Sequence, residues 1–274
     1  LAIVTGPLTG PSALVKRAGG ADLDALAHHR WGALFTAAFF LILVIQAYAV
    51  AAVCGVAAVY CIVMWCWKLD RPHEFDMADI GAGVMVPTYA SGTASHGWWA
   101  MSITLIVAGM VTVMTAFSYV FLWSGRPETW APPPEMLTLL GVLALDALAV
   151  VLLWTSVRML KADRPRSPMI WAILASLGAI AVVAAWGLDL TTWRGTGLMP
   201  QHSGQGATVY AFLAWQGMFV FTAAIMALYA PARWLAGHAS PKRPATAELM
   251  ALFLTYAAGQ SAFAALLTRL FPGG

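Results

Sequence analysis

The chain is 274 residues long, 61% hydrophobic and only 10% charged, with a mean hydropathy of +0.76 and a formal net charge of +3. A soluble fold of this length would carry far more apolar surface than one core can hide, so the composition excludes that class and points to an integral membrane protein. The small net charge gives no reason to expect a nucleic-acid partner, and the placement of the basic residues carries more than their number.

Residues 1–30, with Lys16, Arg17, Asp22, Asp24 and the pair His28 and His29, read as a cytoplasmic, solvent-side arm containing a short surface helix. No apolar run there is long enough for a signal peptide, and a start at Leu1 suits either a processed end or the tail of a longer chain. Residues 31–67 are uncharged. As one helix they would be about 55 Å long, too long for a single crossing of a hydrocarbon core of about 30 Å. The run is therefore expected to be two short helices broken within 49–55, with Cys54, Cys61 and Cys66 as packing residues on the second. Residues 68–96 form a polar connection carrying Lys68, Asp70, Arg71, Glu74, Asp76 and Asp79.

The third crossing, 97–123, follows a small-residue lead-in over 89–96 and opens on Trp98 and Trp99, aromatic rings suited to the headgroup level. Three consecutive prolines, 132–134, forbid helix before a fourth crossing over 136–160. A basic turn, 161–167, leads to a fifth helix that has Pro168 in its first turn and is expected to end near Leu188. Residues 189–206 read as a polar loop, 207–235 as the sixth crossing and 248–271 as the seventh. Helices 3–7 thus occupy 97–271.

Seven crossings place the termini on opposite sides. Lys16, Arg17, Arg30, Lys68, Arg71, Arg158, Lys161, Arg164, Arg166, Arg233, Lys242 and Arg243 fall on the side of the arm; Arg126, Arg194 and Arg269 fall on the other. Twelve against three predicts the N-terminus in the cytoplasm and the C-terminus outside. The fold class expected is all-α integral membrane with seven transmembrane helices.

The chemistry begins with an absence. All six histidines fall in connections or at helix starts, so the crossings offer no facing imidazoles for haem or copper, and the chain has no CxxC, P-loop or nucleophile elbow. No catalytic, metal or cofactor residue is expected. Polar groups inside the crossings are few. Asp146, about ten residues from each end of its apolar run, would cost about 3 kcal/mol if ionised at mid-membrane, so it should face a neighbouring helix or water. It serves either an interhelical hydrogen bond or a proton or ion route. Gln46, Gln216 and Gln260 read as interhelical hydrogen-bonding groups.

The stretch 87–101, PTYASGTASHGWWAM, resembles the third-helix entry of subunit III of haem-copper, cytochrome c type oxidases, most nearly the bacterial form fused behind subunit I. The sixth span, with Gly217 and the trailing Arg233, and the segment 247–260, AELMALFLTYAAGQ, are similar to that family's last two helices. The resemblance implies two helices and five helices arranged around a lipid cleft, in the bacterial inner membrane. It implies oxidase subunits I and II and phospholipids as partners, with haem and copper in those partner subunits and no cofactor in this chain. Trp31, Trp98 and Trp99 would then contact lipid or an interface, and Arg233 would lie near the cytoplasmic headgroups. The family's acidic residue early in the third helix is missing, since Ala108 and Gly109 occupy that zone. Its sixth-helix histidine pair is replaced by Gln216 and Phe219, and its last-helix Trp-His by Leu254 and Thr255. The missing carboxylate puts any proton-handling role of that helix in doubt. Related accessory subunits of nitric oxide reductases or quinol oxidases, and a stand-alone transporter or channel, are the alternatives.

Overall fold

A long apolar run can satisfy its backbone in a membrane only by closing its hydrogen bonds within itself, and among the described residues this happens seven times. The computed structural model describes residues 23–69, 77–79, 81, 83–87, 95–162, 164–241 and 244–271. Among them are α1 (Leu23–Val44), α2 (Tyr48–Leu69), α3 (His96–Gly125), α4 (Met136–Lys161), α5 (Ser167–Gly195), α6 (Gly204–Leu235) and α7 (Ala245–Leu270). All seven are long and apolar enough to cross a membrane. Between α2 and α3 a short antiparallel pair, β1 (Met77–Asp79) and β2 (Met85–Pro87), places Met77 opposite Pro87. The chain divides into two compact units, residues 1–73 and 74–274. Residues 1–22 of the expected arm over 1–30, most of the polar connection and residues 89–94 of the lead-in over 89–96 lie outside the described residues.

The first unit is the hairpin of α1 and α2. Its break comes at 45–47, earlier than composition suggests, because Gln46 takes a left-handed backbone (φ 60°) and closes α1 as a glycine commonly does. The Gln46 amide donates to the Leu43 carbonyl at 3.0 Å and the Ala47 amide to that of Ile42 at 3.3 Å. Gln46 is therefore an exposed turn residue and not a hydrogen-bonding group within a crossing. Gly55, which suggested the break, lies inside α2, where a Cβ would stand 3.2 Å from the Phe39 ring; it lets the two helices approach. The first helix also starts at Leu23, so His28, His29 and Arg30 belong to its opening turns, and the His29 ring meets that of Trp65 at 4.6 Å.

In the second unit α4, α5 and α6 pack in succession, while α7 touches α3, α4, α5 and α6. Small residues make that central position possible: Ala251, Ala257, Ala258 and Ala265 on α7 are almost fully buried and let backbones come close. Leu153, Trp171, Val182 and Leu254 fill the main core. A second cluster, Tyr119, Trp130, Trp193, Val209 and Phe212, closes the end where α3, α5 and α7 finish. Two helices open on a serine: the Ser95 hydroxyl accepts from the Trp98 amide at 3.1 Å and that of Ser203 from the Gly206 amide at 3.0 Å. The fifth helix does not stop near Leu188 but runs to Gly195, so Asp189, taken as the start of a loop, lies inside it. The physical reason is a buried partner for its charge.

Candidate functional site

That partner is Arg269, in the last turn of α7. Its Nη2 donates to Asp189 Oδ1 at 2.6 Å, its Nη1 to the Ala265 carbonyl at 3.1 Å, and its guanidinium stands over the Trp193 ring at 5.6 Å. Asp189 is 7% exposed and Arg269 5%, so this is an ion pair inside the helix bundle. A charge at the edge of an apolar run reads as a loop signal when its partner, 80 residues away, is invisible. Neither residue was among the polar groups that sequence singled out, and Asp146 is accordingly not the only buried acid of the bundle.

Asp146 itself lies on the buried face of α4, 3% exposed. Neither carboxyl oxygen makes a hydrogen bond of full geometry, although the Ser261 hydroxyl of α7 stands beside it and the Asp189 charge is within electrostatic reach. Gln216 of α6 does what its sequence reading required, its Nε2 donating to the Ala257 carbonyl of α7 at 2.9 Å. Its Oε1 is left without a donor. Gln260, 5% exposed on α7, makes no hydrogen bond through either side-chain polar atom. A cavity of about 10 Å³ opens among Asp189, Gln216, Ser261, Thr268, Trp186 and Trp193, room for about one water. Tyr119 of α3, fully buried, closes the neighbourhood by donating its hydroxyl to the Thr268 carbonyl at 3.1 Å.

The remaining candidates lie elsewhere. Trp31 is 55% exposed and stacks on Phe35, and Trp99 is 57% exposed with Trp98 set edge-on against it at 5.3 Å. Both places are open to lipid or to another protein. Arg233, in the last turn of α6, is only 4% exposed: it donates to the Tyr229 hydroxyl at 3.3 Å and to the His238 carbonyl at 3.0 Å, tying down the end of α6. Arginine beside the last carbonyls of a helix finds acceptors there, and the chain turning back at Gly237 (φ 71°) delivers one. A further pair, Lys161 Nζ to Glu248 Oε1 at 2.5 Å, joins the end of α4 to the start of α7. Gln205, also unremarked in the sequence, bonds both the amide and the carbonyl of Ala131 and so holds the proline-rich connection onto α6.

Among the described residues no three His, Cys, Asp or Glu side chains come together as metal ligands. What the bundle offers is a buried string of polar groups, Arg269, Asp189, Ser261, Asp146, Gln216 and Gln260, contributed by α4, α5, α6 and α7. No protein-family model matches the chain, and no curated protein matches it as a relative.

Proposed function

We propose that the chain is an accessory, non-redox subunit of a bacterial respiratory terminal oxidase, similar to cytochrome c oxidase subunit III, and that it supports the catalytic subunit in proton-coupled oxygen reduction. The observation that carries this reading is the stretch 87–101 with its paired tryptophans, leading into the third of seven membrane-length helices. A serine cap fixes the helix start just ahead of Trp98 and Trp99. The lipid-length face of α3 formed by Ile103, Ile106, Met110, Met114, Phe117 and Phe121 is exposed, as a helix that packs against lipid or a partner's helices requires. Haem and copper belong, in this reading, to oxidase subunits I and II, and phospholipids cover the apolar faces. The N-terminus lies in the cytoplasm of a bacterial inner membrane and the C-terminus outside.

Mild-detergent purification through a tag on this chain tests the assignment. It should bring down a large haem-bearing subunit and a copper-bearing one in equal proportion, with oxygen-reducing activity, while the chain stripped of them shows no haem spectrum. Stoichiometric haem on the isolated chain, or a chain that purifies without haem proteins and moves a solute in vesicles, would overturn it. Alkaline phosphatase fused behind Gly274 should be active, and the same fusion placed in the turn between α4 and α5 inactive; the reverse pattern refutes the orientation.

A further inference from the structure

The charges of the bundle's polar string do not balance. On the elements packed around Asp146, α5 brings Asp189 and α7 brings Arg269, while Ser261 and Gln260 of α7 are neutral. Tyr119 of α3 lies by Arg269, and Gln216 is the polar group that α6 adds. Arg269 is committed to Asp189, its Nη2 at 2.6 Å from Oδ1. Among the described residues Asp146 is left with no cation, and it has no hydrogen bond of full geometry to either oxygen and is 3% exposed. An ionised carboxylate accepts up to about four hydrogen bonds and is costly in a low-dielectric interior without them. One positive charge, taken up at this carboxyl, removes the imbalance.

The cavity supplies the route. Gln216, 3% exposed, has an unpartnered Oε1 and lines a space with Asp189, Ser261 and Thr268. An amide oxygen only accepts, so it needs a donor, and the donor that fits about 10 Å³ is a single water. Ser261 belongs to both places: it lines the cavity, and its hydroxyl stands beside the Asp146 carboxyl. A hydroxyl donates and accepts at once, so it can pass a proton on without holding one.

We propose that the five-helix unit contains a proton-holding site: the Asp146 carboxyl carries one exchangeable proton, and Ser261 with a water held by Gln216 and Asp189 connects it to the Arg269 end of the bundle. In the exchange the O–H bond of the Asp146 carboxyl breaks, its proton passes to the Ser261 oxygen as the hydroxyl releases its own to the water, and a hydronium forms beside the Asp189 carboxylate. Return of a proton from water restores the acid, so no other reactant is required. A sodium ion would also balance the charge, but a cavity of about 10 Å³ leaves no room for a full oxygen shell.

The site uses only residues of the second unit and is independent of the oxidase reading. Infrared difference spectra after a pH jump, taken on the full chain in its purified complex or in lipid discs, test it. The expected result is a protonated-carboxyl stretching band that shifts in deuterated water, is lost in Asp146→Asn, and persists at a shifted frequency in Asp146→Glu. Gln216→Met should leave the band in place and slow its deuterium exchange several-fold. The proposal is overturned if the wild-type chain shows no such band, if the band survives Asp146→Asn, or if sodium abolishes it with release of a proton.

Discussion

Replacing Asp189 by Asn tests the central feature of the bundle, because it keeps the side chain's shape and removes its charge. Arg269 would keep its bond to the Ala265 carbonyl and its place over Trp193, but its buried guanidinium would lose the Asp189 carboxylate that it touches. Its side chain is 2% exposed, so water does not screen the loss. Breaking a buried pair from one side costs about 3–5 kcal/mol, and an asparagine oxygen still able to accept should return about 1 kcal/mol of that. We expect Asp189→Asn to lose about 3 kcal/mol and Arg269→Met a similar amount. The double variant should lose far less than the sum, giving a coupling of about 3 kcal/mol, because no unpaired charge then remains inside. Unfolding of the reconstituted chain by SDS in mixed micelles, followed by helix content, measures all three. Losses under about 1 kcal/mol in both single variants, with coupling near zero, would refute the reasoning: the pair would then be solvated rather than enclosed.

Three further outcomes follow from the packing and the caps. A Cβ at Gly178 would stand 2.8 Å from Leu153 Cγ and 3.3 Å from the Ala149 carbonyl, so Gly178→Ala should lose about 1–3 kcal/mol in the same assay, and combining it with Leu153→Ala should cost less than the sum of the two. Ser203→Ala removes the cap of α6 and should cost about 1 kcal/mol, with faster deuterium uptake in the first turn of that helix. Lys161→Ala breaks a pair whose lysine side chain is 49% exposed, so it should cost no more than about 1 kcal/mol, and the effect should shrink with added salt.

Helix existence was legible because it depends on the length of uncharged runs. All seven helices coincide in their apolar centres with the runs that predicted them. The ends were less legible, and each discrepancy has a local cause. The first hairpin turns at Gln46, which adopts a left-handed backbone without being a glycine, while Gly55 serves packing. Helix α5 passes through Asp189 because Arg269 neutralises it, a pairing that no local pattern encodes. Gln216 was legible as an interhelical donor because a carboxamide at mid-span has few other uses, but which carbonyl it meets depends on how α6 lies against α7. Asp146 was legible as a buried acid; its neighbours Ser261 and Asp189 were not, since they come from helices far away in sequence.

The same pairing changes what the basic residues say about orientation. Of the three on the sparsely charged side, Arg126 and Arg194 are exposed, but Arg269 is enclosed with Asp189 and contributes no net charge there. On the opposite side of the second unit Arg158, Lys161, Arg164 and Arg166 are exposed, while Arg233 is turned inward to the end of α6. A tally of sequence charges weighs all of these equally, whereas the membrane surface meets only the exposed ones. Among the described residues of this unit the exposed basic ones stand at four against two, still asymmetric in the same direction. Moving the asymmetry therefore requires changing the α4–α5 turn rather than Arg269. Substituting Arg158, Arg164 and Arg166 together by Gln should weaken the orientation of a C-terminal phosphatase fusion, whereas Arg269→Met should destabilise the bundle and leave the orientation unchanged. An inverted fusion in Arg269→Met would show that this arginine acts on insertion as a free charge, before it meets Asp189.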